Sequence, residues 1–262
     1  MNPTTMPTTT PSIGGVQVKS TRSIALIVGV LFILTFVTSI AAVFAYGPVL
    51  TNPHYISGGS ADPRVFVGAF LELLLIITNM GCAVVLFPLL KRQNETIALG
   101  YVVARLVECT FILVGILSVL AVATMRQHAV SADSASLVTV GKSLIAIKNW
   151  TFLLGPGLMD GIGTGLMLGW LMYRSGLVSR RVALLGVIGG PLLAVSGIAV
   201  LLGVIPQFSA PQSIATAPEF LWEAFLGLWL TFKGFRPVAL GAGEPSDART
   251  STRSTADAVA AA

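Results

Sequence analysis

The chain has 262 residues, 54% hydrophobic and only 10% charged, with a mean hydropathy of +0.85. A soluble domain carries about 25% charged residues, so this composition excludes an ordinary water-soluble enzyme and places the chain in the membrane class. The net charge of +5 forms no basic run or aromatic-basic surface, which excludes a nucleic-acid partner and leaves the bilayer as the first one.

Residues 1–21 are rich in Thr and Pro and contain no acid, and are expected to form a disordered cytoplasmic arm. The apolar run 23–45 is longer than the roughly 7–15 residues of a signal-peptide core, although Val43-Phe44-Ala45 resembles a cleavage site. It is read as the first span. Further spans are expected at 65–90, 97–125, 151–173, 182–205 and 219–235, with Gly189-Gly190-Pro191 as a kink. Residues 134–148 place Leu137, Val140, Leu144 and Ile147 at helical spacing, with Lys142 and Lys148 off that face. The pattern predicts an amphipathic helix lying at the interface before span four. The tail, 238–262, is small and polar and is expected to be disordered and cytoplasmic.

The expected architecture is therefore an all-α, six-helix transmembrane bundle over 22–237. Eleven basic residues fall on the face that holds both termini, among them Lys91, Arg92, Arg174, Arg180 and Arg181, against four on the other. Basic residues favour the cytoplasmic side, so both termini are expected in the cytoplasm.

Within 151–173, Gly157, Gly161, Gly165 and Gly169 recur every fourth residue. In water such glycines weaken a helix by about 1 kcal/mol each. In lipid they form a slowly winding groove that admits a second helix backbone. Asp160 interrupts this ladder.

Asp160 is one of five ionisable residues expected inside spans, with Glu72, Arg105, Glu108 and Glu223. At roughly 1.5 Å per residue they lie about 12–24 Å from the cytoplasmic ends, in the middle of a core roughly 30 Å thick. A charge there costs about 2.5–3.5 kcal/mol on insertion scales, so such groups face the bundle interior and find partners. Arg105 and Glu108, three apart, share a helix face. Arg105 cannot release its proton, so Glu108→Gln is expected to destabilise more than Arg105→Gln. The other acids have no basic partner at their depth, while Glu219, at the outer rim, is expected to reach water.

Absent motifs narrow the chemistry. His54 and His128 both lie in expected loops, which leaves no intramembrane histidine pair for haem and no HExxH zinc site. There is no aspartyl dyad, no GxSG-type serine and no Walker A loop, and nothing calls for a cofactor. Cys82 and Cys109 fall inside apolar runs and read as small buried hydrophobes.

Several pieces of the chain, in their order and spacing, form a recognisable set. They are Gly68-Ala-Phe-Leu-Glu72-Leu, Pro88-Leu-Leu-Lys91, Ala98-Leu-Gly-Tyr-Val-Val-Ala-Arg105-Leu-Val-Glu108, Leu153-Leu-Gly-Pro-Gly157, and Glu223 through Trp229-Leu-Thr-Phe-Lys233-Gly-Phe235. Together they resemble the bacterial membrane proteins grouped as domain of unknown function 4386. The resemblance implies a multi-span inner-membrane protein without an assigned activity. It matches Glu72, Arg105, Glu108, Glu223 and Lys233 to family positions, and implies no acid at the place of Asp160. Two functions are expected, the first as the leading reading and the second as its alternative. One is a non-enzymatic scaffold or regulatory protein whose polar groups bind other membrane helices. The other is a secondary transporter or a proton or cation conduit using the buried carboxylates. A dry, charge-paired interior favours the first, and a water-lined cavity reaching Glu72 or Glu223 favours the second.

Overall fold

Local chemistry sets the helix boundaries. Pro63 occupies the first turn of a helix whose N-cap, Asp62, accepts a hydrogen bond from Arg64 N. Asn94 caps the next helix through Ile97 N, with Glu95 in its first turn. Gly176, at φ 69°, ends another in the left-handed conformation that glycine adopts without strain.

The computed structural model describes residues 14–128 and 134–236. The elements are α1 (Gly14–Thr51), a 3-10 turn (Tyr55–Gly58), α2 (Pro63–Leu90), α3 (Glu95–Gln127) and α4 (Ser134–Phe152). Two π-helical segments follow (Leu153–Met159 and Gly161–Leu168), then α5 (Gly169–Ser175), α6 (Arg180–Leu201) and α7 (Ala210–Phe232). No strand occurs among the described residues. Among the described residues, five helices are long and apolar enough to cross a membrane: Thr21–Thr51, Pro63–Leu90, Glu95–Gln127, Ala135–Ser175 and Arg180–Leu201. The chain has the make-up of an integral membrane protein. The sixth expected span, α7, is not among the five, because Glu219, Glu223 and a Pro/Ser/Thr-containing first half lower its hydropathy.

Two expectations are corrected. Residues 14–21, placed in the disordered arm, are helical, and α1 continues through Ala45 to Thr51. The expected disorder of 1–13 and 238–262 lies outside the described residues. The stretch 134–148 is not a separate helix, since helical backbone runs unbroken from Ala135 to Ser175. Its expected apolar face also splits. Leu137 and Leu144 pack on an internal cluster with Tyr55 and Ile56, while Val140 and Ile147 are exposed.

Neighbours in sequence are neighbours in space. α1 packs on α2, α2 on α3, α3 on α4 and the π segments, these on α6, α6 on α7, and α7 back on α1. The helices thus form a closed ring in chain order. Arg22, near the start of α1, donates to the carbonyls of Thr231 (2.9 Å) and Phe232 (3.1 Å) at the end of α7, satisfying acceptors the helix leaves open. Both elements therefore meet at one end of the bundle. At the other end, Arg126 of α3 donates to Ser60 O (2.8 Å) and to Tyr55 O, and stacks on the Tyr55 ring. Each end has its own apolar core, one around Leu86, Tyr101, Met172 and Trp222, the other around Tyr46, Val65 and Val122.

Glycines set the closeness of the π segments to both neighbours. A Cβ on Gly155 or Gly163 would collide with α3, at 2.9 Å from Phe111 Cβ and 2.8 Å from Ala104 Cβ. A Cβ on Gly161 would meet Gly190 O at 2.7 Å, one on Gly165 would overlap Gly190 Cα, and one on Gly169 would meet Gly186 C at 3.0 Å. Gly189 and Gly190 of α6 are thus taken up in helix packing, Gly189 against the Glu219 backbone. Gly157 has only ordinary contacts, the nearest at 3.6 Å. Gly165→Ala is expected to cost about 1–3 kcal/mol, more than Gly161→Ala or Gly169→Ala, and Gly157→Ala almost nothing. The detergent-stable folded fraction of each variant checks this order, and a Gly157 variant as damaged as Gly165 would contradict it.

The loop before α2 carries a pH-sensitive contact. The Arg64 guanidinium donates to Asp62 at 3.0 Å from both Nε and Nη2, and Tyr55 OH donates at 3.0 Å. The arginine hydrogen bonds hold the Asp62 carboxyl down at about 2, below its ordinary value. Burial, then the Asp62 contact, pushes the Tyr55 phenol up to about 12. A depressed carboxyl stabilises above its unfolded value and loses that contribution as pH falls through its folded one. Thermal stability is therefore expected to fall between about pH 4 and pH 2 in the parent, and to stay flatter there in Asp62→Asn. Parallel curves would sink this assignment.

Candidate intramembrane polar site

Between the two apolar cores lies a polar layer to which most of the helices contribute. Arg105, on α3 and 2% exposed, is its centre. Its Nη1 lies 2.7 Å from Glu108 Oε2 and 3.0 Å from Asp160 Oδ1, and its Nη2 lies 2.9 Å from Glu223 Oε1. One guanidinium, whose planar fork presents several donors, thus joins acids from α3, the π-helical stretch and α7. The contact to Asp160 is an ion pair without hydrogen-bond alignment, and Asp160 Oδ1 has no hydrogen-bond partner among the described residues.

Glu108 is also held by Asn79 of α2, whose Nδ2 donates to Oε1 at 3.1 Å. Thr35 of α1 donates to Thr78 Oγ1 (3.1 Å) and Asn79 Oδ1 (3.4 Å), extending the network to the first helix.

Glu72 belongs to a second ion pair. Lys148 Nζ lies 2.5 Å and 2.7 Å from its two carboxyl oxygens, Tyr46 OH donates to Oε2 at 3.1 Å, and the Tyr46 ring faces the ammonium at 5.1 Å. Gly115 of α3 makes room for this lysine, since a Cβ there would stand 3.0 Å from Lys148 Cδ. The expectation that Glu72, Asp160 and Glu223 lack basic partners is therefore wrong. Counting Lys148 with the outer interface hid a cation that α4 carries into the bundle, and Arg105 serves three acids rather than one. Asn79 carries no formal charge and is therefore not among the residues expected at the site. A polar amide in the middle of an apolar run was the available signal.

Glu219 is corrected as well. It does not reach water but is 1% exposed, wedged against Gly165 and Gly189. Lys233 lies outside the polar layer, over the Trp229 ring at 4.5 Å.

The two ion-paired groups share the wall of one cavity of about 230 Å³. Glu72 and Lys148 line one part, Arg105, Glu108, Asp160 and Glu223 the other, with apolar residues such as Leu75 and Phe220 between. A second cavity of about 210 Å³ lies beyond Lys148 toward the loop end, lined by Lys142, Asn149 and Tyr55 among others. Asp160 itself sits between the two π-helical segments, and its N–H bonds to Gly155 O five residues back. Pro156 in the first segment supplies no N–H, and wide turns of this kind occur frequently at functional sites. No group of His, Cys, Asp and Glu side chains suited to a metal ion occurs among the described residues.

Residues 27–234 match the family described as Domain of unknown function (DUF4386). No curated protein and no solved structure matches the chain.

Proposed function

The chain belongs to the DUF4386 family, and we propose that it is a membrane carrier or conduit for a small cation, with the central cavity as its binding site. The observation that carries this reading is the cavity's charge. Four carboxyl groups line it against two fixed cations, an excess of acid that an entering cation can balance. At about 30 Å³ per water the cavity has room for several molecules, unlike the dry interior a packing scaffold requires. The π turns on either side of Asp160 support the same reading, because widened turns of this kind in a continuous helix occur frequently at functional sites. The sequence has no ATP-binding loop, so movement would follow existing gradients.

In this reading α7 is the sixth span, the helix that closes the ring, with its acids facing inward. The meeting of Arg22 with the end of α7 supports an even number of crossings. The basic asymmetry supports an inner-membrane protein with both ends in the cytoplasm.

The test uses a background in which Cys82 and Cys109, both buried and free, are replaced by Ala. Ser39→Cys, on the cavity wall, is expected to react with a small cationic methanethiosulfonate about tenfold faster than with an anionic one. Phe44→Cys, 79% exposed and lipid-facing, is the unreactive control. A Ser39 variant no more reactive than that control would end the cavity reading. In intact cells, Ser60→Cys and Ala210→Cys are expected to label from outside and Ser179→Cys is not, and the opposite pattern would reverse the orientation.

A further inference from the structure

Glu219 does not line the cavity, yet it is among the most completely buried ionisable groups of the described residues. Both its carboxyl oxygens are buried without a hydrogen-bond partner among the described residues. Its Oε2 would stand 2.5 Å from a Cβ on Gly165, so the glycine ladder accommodates it closely. The ionisable groups acting on it are Asp160 from the π stretch, Glu223 one turn along α7, and Arg105 from α3. α6 meets it with the backbone at Gly189. Arg105 is already shared by three other acids. An ionised carboxylate left there unpaired would be far costlier than a neutral acid.

Other buried atoms of the polar layer are also unfilled. Asp160 Oδ1, Arg105 Nε and Thr164 Oγ1 are buried without hydrogen-bond partners among the described residues. Trp222 Nε1, from the same α7 turn, donates to Thr164 O at 3.1 Å and ties α7 to the π segment at this level.

We propose that Glu219 is a proton-carrying site behind the cavity, exchanging its proton with Asp160 and Glu223 on the cavity wall, so that the proton is a coupling ion of this protein. This rests on the cavity being the cation site. The transfer breaks the O–H bond of Glu219 and forms one at a carboxylate oxygen of Asp160 or Glu223. Negative charge moves the other way, and no other bond changes. A cation at the wall acids holds them ionised, so cation and proton exclude one another there and exchange becomes possible.

The purified chain in liposomes with a trapped pH-sensitive dye and an imposed potassium diffusion potential provides the test. Proton flux is expected in the parent, and Glu219→Gln, which mimics the neutral acid and should fold, is expected to lower it about a hundredfold. Glu95→Gln, at the exposed start of α3, is expected to leave it unchanged. Infrared spectra at neutral pH are expected to show a protonated-carboxyl band that Glu219→Gln removes. If Glu219→Gln does not fold, Glu219→Met, similar in length and apolar, takes its place. A folded variant that passes protons like the parent, or one whose spectrum loses no such band, overturns the proposal. A parent that passes no protons also overturns it. In that case the charge preference of Ser39→Cys decides separately whether the cavity still takes cations.

Discussion

Arg105→Gln is expected to be the most damaging single replacement in the polar layer, costing on the order of 3–5 kcal/mol. It leaves Glu108, Asp160 and Glu223 facing one another without the cation that now sits within 3.0 Å of each. Sequence spacing, which joins Arg105 to Glu108 alone, predicts the opposite order, with Glu108→Gln the worse variant. With Asp160 and Glu223 also on the guanidinium, the reverse of that order is expected. Without Glu108 the guanidinium keeps Asp160 and Glu223, so the loss is closer to one charged hydrogen bond, about 1.5–3 kcal/mol. Thermal unfolding of the two variants in detergent separates the cases. Glu108→Gln as unstable as Arg105→Gln would mean that Asp160 and Glu223 do not share the guanidinium.

The second large effect is expected at Lys148. Lys148→Gln removes the only cation in contact with Glu72 among the described residues and leaves a buried acid held by Tyr46 alone. Breaking a buried pair from one side costs about 3–5 kcal/mol, whereas removing both charges can be nearly neutral. The double variant Glu72→Gln/Lys148→Gln is therefore expected to recover most of the loss in thermal stability. Tyr46→Phe, which removes one hydrogen bond, should cost only about 1–2 kcal/mol. The pair also lines the cavity that holds Ser39, so the double variant is expected to admit thiol reagents to Ser39→Cys faster than the parent does. No gain in stability over Lys148→Gln alone would show that the two side chains do not depend on each other.

Much of this was legible in the sequence because lipid imposes simple rules. Long apolar runs had to be helices, and charges inside them had to turn inward. The identity of the partners was not legible, because it depends on which helices adjoin. Lys148 is 76 positions from Glu72, and Glu223 is 118 from Arg105. Only the ring arrangement brings them together. The amphipathic pattern around Lys142 and Lys148 misled for a related reason. An apolar face can meet protein as well as lipid, and Leu137 and Leu144 meet Tyr55 and Ile56. The four-residue glycine ladder stood out, but Gly155 and Gly163, which face α3, fell outside its spacing. Widened π turns carry no sequence signature beyond glycine and proline, so the two faces of that helix could not be separated in advance.

A ring closed in chain order also dictates an order of assembly. As the chain leaves the ribosome, each new helix finds the previous one already beside its place, so early insertion involves only neighbouring pairs. The last helix is different, since α7 must find both α6 and α1, the most distant partner in the sequence. Until it arrives, Arg105 lacks Glu223, and a gap between α1 and α6 leaves the polar layer open to lipid. Arrival of α7 is thus the step that distinguishes a finished molecule from an unfinished one. A membrane protease that recognises unpaired intramembrane charge would read that same step as a maturation checkpoint.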